Sequence, residues 1–442
     1  MKLRISSTKI VIFGYFIGII LLGSLLLKLP FSWKGETPLR YIDALFTSTS
    51  AVCVTGLITV DTARYSRFGQ AMIALLIQTG GLGIITFATV YLAAPRKRIS
   101  LVNRSIIKDY YIDEVEYNPK EMIRHILTTT FAIEAIGALF LYIRFRDLPD
   151  GPFLAVFHAV SAFCNAGFST FSTNLEGYAA DPIVNFSIIA LIVSGGIGFI
   201  VMKDIALKLR GKKRRLSYHS KMALGMTAIL IALGAAAFLF LEHRRAFAAL
   251  TPGQKVMAAM FQSVTPRTAG FDTILQSAFS TPSVLLTIIL MFIGASPGST
   301  GGGVKTTTFM VAVLAAFKGT DESDKLIVGK RSIPSSAIVK AVGIIGKGLA
   351  IVVVGVVLVL VAERGRPGAQ VSLSQALFEV VSAFGTVGLS LGITGSLGDA
   401  AKSVLILTMF AGRVGLFAMS LPRSSRRVER YADLPGTDVL IG

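Results

Sequence analysis

FTSTSAVCVTGL at 46–57, FHAVSAFCNAGF at 157–168, FQSVTPRTAGF at 261–271 and FEVVSAFGTVGL at 378–389 are four versions of one sentence. Each has an aromatic anchor, a Ser or Thr before the turn, a small or polar pair, one glycine, then Leu or Phe. The third version is one residue shorter. The glycines, Gly56, Gly167, Gly270 and Gly388, stand at comparable intervals, so the chain repeats itself. A fixed long period of this kind marks a repeat architecture and has to be read before anything else.

A fainter match follows each stretch. The next apolar segment carries Gly80-Gly81-Leu82-Gly83 in the first unit and Gly195-Gly196-Ile197-Gly198 in the second. The fourth unit has Gly412-Arg413-Val414-Gly415, and the third is interrupted by GASPGSTGGGVKTT at 294–307. The unit is therefore an apolar helix, a short amphipathic segment, a glycine-bearing turn and a second apolar helix. Boundaries fall at 1–94, 95–210, 211–318 and 319–442, the last including a C-terminal tail. The amphipathic segments are too short to span a bilayer, which takes about 20 apolar residues, and suit re-entrant half-helices.

Composition agrees with a membrane protein. Hydrophobic residues make up 53% of 442 positions and charged residues 16%, where soluble domains carry about 25% charged. Stretches 10–29, 68–94, 222–241 and 337–361 are long and apolar enough to cross as helices. The first is too long and lacks the small-residue cleavage site of a signal peptide, so it is expected to stay as a helix. The net charge of +19 is gathered in 96–124, 203–221 and 318–347, with more at Lys2, Arg4, Lys9 and 423–430. Basic segments alternating with less basic ones are the positive-inside pattern, which puts these loops and both termini in the cytoplasm. A nucleic-acid site would instead be a basic face on a soluble domain, so none is expected.

Each unit starts from the basic side and crosses twice, so all four share one orientation. Such parallel repeats arrange around an axis along the membrane normal, where the turns converge. Irregular backbone at membrane depth is tolerated only inside protein or around a wet cavity. Converging carbonyls can replace an ion's hydration shell, and glycine supplies the backbone angles that aim successive carbonyls one way. Half-helix C-termini add partial negative charge, which favours a cation. The candidate filter is thus Val54, Thr55 and Gly56; Asn165, Ala166 and Gly167; Thr268, Ala269 and Gly270; Thr386, Val387 and Gly388. Thr386-Val387-Gly388 is the triplet that opens potassium-channel filters. Close helix packing alone would explain glycine but not the aromatic, the Ser/Thr or the fixed order.

These motifs, with TPRTAGFD, SPGSTGGGVKTT and Arg413, resemble the Trk/Ktr/HKT superfamily of potassium transporters over nearly the whole chain, most closely its KtrB-type membrane subunit. The resemblance implies an all-α polytopic membrane protein of four fused helix–pore loop–helix repeats with pseudo-fourfold symmetry around a central pore. It implies potassium uptake across the plasma membrane, a homodimer, and gating by a cytoplasmic RCK-type nucleotide-binding subunit. Potassium is then substrate, with no covalent cofactor, and stimulation by sodium is left open. Relatives with serine in the first filter loop admit sodium better, and Gly56 argues against that. The extra N-terminal helices of the longer TrkH type are not expected here.

Residues 298–306 look like a phosphate loop, but Val304 stands where Walker A needs glycine before Lys-Ser/Thr. The preferred reading is a gate below the filter, formed by Gly298, Ser299, Thr300, Gly301, Gly302, Gly303 and Lys305, which the resemblance supports; a structural kink is the alternative. Arg413 lies in the apolar run 404–421 and is costly there, so it lines a wet cavity as barrier or latch, or bonds carbonyls of the gate. Glu134 is a relay or a partnered structural carboxylate. Lys203, Asp204, Lys340 and Lys347 are placed to snorkel, and Trp33 to join the interfacial belt. Cys53 and Cys164 suggest no disulfide scaffold, and the four histidines lack ligand spacing. HExxH, a CxxC pair and a G-x-S-x-G elbow are all read as absent, and no acid–base–nucleophile cluster supports a membrane enzyme. A secondary transporter with a midplane substrate site is the alternative function, disfavoured because the units all run one way.

Overall fold

The computed structural model describes residues 7–93, 119–319, 325–328, 331–366 and 370–415. Most of the basic stretch 96–124, all of 423–430, Lys2, Arg4 and both termini lie outside them. The first unit supplies α1 (Ser7–Lys28), α2 (Tyr41–Val52) and α3 (Arg67–Ala93). The second supplies α4 (Pro119–Phe145), α5 (Gly151–Phe163), α6 (Pro182–Gly196) and α7 (Phe199–Leu209). The third supplies α8 (Tyr218–Glu242), α9 (Pro252–Val264), α10 (Thr281–Phe292) and α11 (Thr306–Lys318). The fourth supplies α12 (Ser335–Glu363), α13 (Leu373–Gly385) and α14 (Asp399–Phe410).

Among the described residues, α1, α4, α8 and α12 are each long and apolar enough to cross a membrane, and each opens a unit. Their outward faces carry exposed Leu22, Leu139, Leu233 and Val353. In water so much apolar surface would drive aggregation; against lipid it is at home. Polar residues are inside instead. Thr47, Ser48, Thr49 and Ser50 on α2 are all buried.

The helices α2, α5, α9 and α13 have 12 or 13 residues, about 20 Å of rise and short of a ~30 Å hydrocarbon layer. Local chemistry starts them sharply. Ser372 Oγ accepts from the Gln375 N–H at 3.3 Å while Gln375 Oε1 accepts from the Ser372 N–H at 3.0 Å, a reciprocal cap that opens α13. Their anchors Phe46, Phe157, Phe261 and Phe378 are all buried. Each anchor fixes its half-helix in the core.

Four details depart from the sequence reading. The second crossing of unit two is not one helix: α6 and α7 bend by 102° at a break where Gly198 has φ +94°. Arg413 is not in the middle of an α-helix but in a π-helical turn, Ala411–Gly415, after α14. Asp204 does not snorkel: it is buried, accepting from Lys213 Nζ at 2.6 Å and the Ser217 N–H at 2.7 Å. A small antiparallel hairpin, β1 (Lys325–Val328) with β2 (Arg331–Pro334), qualifies the all-α expectation. Glu134 is a partnered carboxylate, taking Gln78 Nε2 at 3.1 Å beside Cys164. Trp33 lies edge-on to Tyr65 and donates to Thr37 O at 2.8 Å, so it also ties down a loop.

The first and last units are joined by ions. Lys402 Nζ on α14 and Asp43 on α2 pair at 2.8 Å, with side chains 5% and 7% exposed. Arg40 then bridges Asp43 at 3.0 Å and Asp399 at 2.5 Å near the surface. The outer pairs are solvated and weak, but the inner one is dry, and removing one member of a dry pair strands a charge. Lys402→Ala is expected to destabilise the purified protein by on the order of 3 kcal/mol, read as a lowered Tm in detergent. The double variant Asp43→Asn/Lys402→Met should recover most of it; a single variant melting with the wild type would show the pair to be idle.

Candidate functional site

The four glycine turns meet. A Cβ added to Gly56 would lie 2.4 Å from Ala166 O, one on Gly167 2.6 Å from Ala269 O, one on Gly270 2.1 Å from Val387 O, and one on Gly388 2.3 Å from Thr55 O. Each glycine therefore abuts the middle residue of the next unit's triplet, and the fourth abuts the first. The contacts close into a ring in which no side chain fits.

Each triplet has the same backbone habit. Its first residue has positive φ (Val54 +56°, Asn165 +60°, Thr268 +69°, Thr386 +50°), and so does its glycine (Gly56 +91°, Gly167 +68°, Gly270 +75°, Gly388 +99°). Left-handed backbone is uncommon outside glycine and a genuine outlier for Val and Thr. Three such outliers, Val54, Thr268 and Thr386, at one point of the fold mark a site held against its local preference.

The recurring Ser/Thr is what holds it. Ser50 Oγ accepts from the Gly56 N–H at 3.0 Å and Ser382 Oγ from the Gly388 N–H at 3.1 Å. Ser161 Oγ donates to Phe168 O at 2.8 Å and Thr265 Oγ1 to Phe271 O at 2.7 Å. In the shorter third loop the Gly270 N–H reaches back to Thr265 O itself, at 3.2 Å. In the other three units the corresponding carbonyl takes the N–H of the triplet's middle residue, Thr55, Ala166 or Val387, at 2.7–2.8 Å, so one residue fewer brings the glycine N–H within its reach.

A second brace was missed by the sequence reading. The residue after each aromatic anchor ties the half-helix to the loop beyond the glycine. Thr47 Oγ1 accepts from Tyr65 Oη at 3.2 Å, and His158 Nε2 meets Ser169 Oγ at 2.9 Å. Gln262 and Gln276 exchange amide bonds at 3.0 and 3.2 Å. Glu379 accepts from Ser390 Oγ at 2.5 Å, Thr394 Oγ1 at 2.7 Å and the Leu391 N–H at 3.2 Å. The signal was present as a column of four polar residues, but their types differ, so no single motif announced them.

The second glycine series serves close approach. A Cβ on Gly80 would lie 2.0 Å from Val52 O, on Gly195 1.8 Å from Phe163 O, and on Gly412 1.9 Å from Phe384 O. Each second helix thus lies hard against the end of its own half-helix. Small residues do this in membranes because backbones can then touch.

Residues 293–305 between α10 and α11 fold back beneath the ring. The neck is closed by the Gly294 N–H on Val304 O at 2.8 Å and by Ser296 Oγ against Thr306 Oγ1 at 3.1 Å. A Cβ on Gly301 would meet Thr268 Oγ1 at 2.2 Å, and one on Gly302 would meet Thr386 Oγ1 at 2.3 Å. Among the described residues those two hydroxyls, and that of Thr55, have no hydrogen-bond partner. On the other side the Phe199 N–H donates to Gly298 O at 2.9 Å, and the Ser296 N–H to Gly196 O at 2.9 Å. Thr300 Oγ1 donates to Phe163 O and Gly195 O, both at 3.1 Å, and Lys305 Nζ to Gly301 O at 2.6 Å. Gly303 (φ +64°) and Ser299, whose hydroxyl donates to Ser296 O at 2.6 Å, complete the turn.

Arg413 ties this loop to the remaining unit. It is 4% exposed, and its guanidinium donates to Thr300 O, to Gly80 O at 3.0 Å and to Gly81 O at 3.4 Å. One of these carbonyls, that of Thr300, belongs to the loop at 293–305; the other two belong to α3. Residues 294–298, GASPG, do match the G-x-S-x-G spacing of a hydrolase elbow, which corrects the reading of that motif as absent. The structure removes that match, because an elbow joins a strand to a helix whereas Ser296 sits in a helix–helix loop bonded to Thr306.

Membrane-length helices, half-helices and buried backbone turns gathered at one place define a polytopic membrane transport protein. The chain belongs to the TrkH family of cation transport proteins, whose model matches residues 7–431. It is 36% identical over 438 residues to the Ktr system potassium uptake protein B of Vibrio alginolyticus, covering 97% of this chain and 93% of that one. The protein of the same description from Bacillus subtilis is 37% identical over 441 residues, covering 97% and 96%. The potassium/sodium uptake protein NtpJ of Enterococcus hirae is 37% identical over 454 residues, covering 99% and 98%. The crystal structure of the potassium transporter TrkH from Vibrio parahaemolyticus superposes with a TM-score of 0.76 at 20% identity, covering 95% of this chain and 85% of that one. That likeness concerns the fold.

The ring makes a sharp demand on its glycines. Gly388→Ser drives a side chain into Thr55 O and the Gly56 backbone. It is expected to cut cation flux at least about tenfold, roughly 1.4 kcal/mol on the barrier, while amounts in the membrane stay near wild type. Rescue of a potassium-uptake-deficient strain by wild type and by Gly388→Ser alike would remove the ring from the permeation path.

Proposed function

We propose that the chain takes potassium up across the plasma membrane through a filter formed by the four triplets, arranged as fused repeats with pseudo-fourfold symmetry. The observation that carries this reading is the closed ring of triplets with alternating left-handed backbone. Carbonyls aimed the same way replace a cation's hydration water. The ends of α2, α5, α9 and α13 contribute negative dipole ends at the same place. Family membership and the names of the relatives support potassium as the substrate. The name of the Enterococcus hirae relative makes sodium the second ion to test.

The loop at 298–303 is the gate on this reading, and Arg413 its latch. The loop fills the space beneath Thr268 and Thr386 and is bonded to elements of the other units. A cation cannot descend through it, and withdrawal of the loop breaks the Arg413–Thr300 bond. The inner side is that of the basic loops, by the positive-inside pattern. Control by a cytoplasmic RCK-type subunit and assembly as a homodimer rest on the family resemblance alone.

Rubidium uptake into liposomes, with and without sodium outside, tests substrate and sodium dependence together. Wild type is expected to concentrate rubidium, with potassium competing better than sodium; a protein that moves only an organic solute would overturn the reading. Removal of residues 298–303, or Arg413→Gln, is expected to raise flux about tenfold or more. A well-inserted deletion variant that conducts nothing, or an Arg413→Gln flux equal to wild type, would take that element out of the gate.

A further inference from the structure

The bend after α6 has a second consequence. Because α7 turns away from α6 by 102°, it lies near the membrane plane when α6 stands along the membrane normal. Its inward face is buried through Phe199, Val201, Met202 and Asp204. Its far end is built to turn sharply. The Gly211 N–H bonds to Lys208 O and the Lys212 N–H to Leu207 O, both at 3.0 Å, with Gly211 at φ +70°, a glycine-terminated helix end. Asp204 then clamps the returning chain through Lys213 and the Ser217 N–H.

This preformed turn presents Lys208, Arg210, Lys212, Arg214 and Arg215 to the outside, all exposed, with exposed Leu209 among them. No acidic residue occurs between Asp204 and Glu242 to balance them. One or two cations would complement the dipole of α7; five do more than that. A helix lying in the interface plane, with an apolar side chain beside basic ones, is the signature of a membrane-surface element.

We propose that the turn at 208–215 is a docking surface for anionic phospholipid headgroups of the leaflet on the basic side. The assignment of that side rests on the orientation given under Proposed function. Phosphodiester headgroups match the cluster in sign and in reach, and each Lys or Arg near such a surface adds to the attraction. The same helix begins with the Phe199 N–H bonded to Gly298 O, so the docked lipid lies one short helix from the loop beneath the ring.

The test counts lipids retained by the full-length protein in neutral detergent, by native mass spectrometry, after addition of phosphatidylglycerol or phosphatidylcholine. Wild type is expected to retain phosphatidylglycerol in preference to phosphatidylcholine by at least about tenfold. The variant Arg210→Gln/Lys212→Gln/Arg214→Gln/Arg215→Gln should lose that preference while still taking up rubidium in phosphatidylcholine liposomes. Arg210→Lys/Arg214→Lys/Arg215→Lys should keep the preference, which guards against a folding defect. Equal retention of the two lipids by wild type, or unchanged preference in the glutamine variant, overturns the proposal. So does release of the lipid by soluble glycerol phosphate, which would make this a free-anion site. Capture of polyglutamate without retention of phosphatidylglycerol would assign the face to an acidic protein and overturn it too. Failure of wild type to move rubidium in any lipid strikes the transport reading and leaves the lipid counts to decide the docking surface.

Discussion

Backbone in hydrocarbon must find partners, and the four triplets at the middle of this protein are backbone that has largely given up helix partners. An unsatisfied buried amide costs several kcal/mol, and each left-handed non-glycine residue adds about 1–3 kcal/mol of strain. The hydroxyl braces do not offset this, since a hydrogen bond contributes about 1 kcal/mol net. What remains is enclosure. Each triplet is wedged between its own half-helix, whose aromatic anchor is buried, and the triplet of the next unit. No one loop can relax without moving its neighbour. The ring is stable as a whole or not at all, and the buried Asp43–Lys402 pair sits at the seam where chain ends would otherwise let it open.

Because the units are parts of one polypeptide, they need not be identical, and the differences are where the chemistry becomes specific. The residue after each anchor does one mechanical job as threonine, histidine, glutamine or glutamate. Only the third unit breaks its second crossing with a loop of thirteen residues at 293–305, and only the fourth puts arginine where the first two have glycine. On the proposed reading, one loop under one ring is the stoichiometry that a single axis requires. Four copies of so large a loop would compete for the same space. An asymmetric chain solves a packing problem that four identical subunits could not.

The parts legible in the sequence were those whose physics is local. Apolar length announced α1, α8 and α12, and the stretch 68–94 that became α3, while the span α4 was not among the stretches named; backbone need announced Gly56, Gly167, Gly270 and Gly388. The glycine-rich loop was visible for the same reason. What stayed hidden depended on distance in sequence or on mixed chemistry. Asp43 and Lys402 are 359 residues apart, and nothing local in either helix points to the other. The break between α6 and α7 is carried by Gly198, one glycine among several in a run that reads equally well as a straight small-residue stripe. The π-helical turn at Arg413 arises from packing on the half-helix end at Phe384, a contact that composition does not encode.

Arg413 also shows why a buried cation is compatible with moving cations. Its neighbours are carbonyl oxygens of Thr300, Gly80 and Gly81, dipoles that stabilise the guanidinium without cancelling its charge. On the proposed reading a potassium ion descending from the ring meets this charge beside the loop. Like charges repel, and more strongly in a site of low dielectric than in water. On that reading charge and backbone act on the same spot. On the proposed reading, opening does two things at once: it clears residues 298–303 from under Thr268 and Thr386, and it gives Arg413 new partners or water. The first is a movement of glycine backbone, which is cheap. The second exposes a strong charge, and so sets the larger part of the energy that any opening signal has to supply.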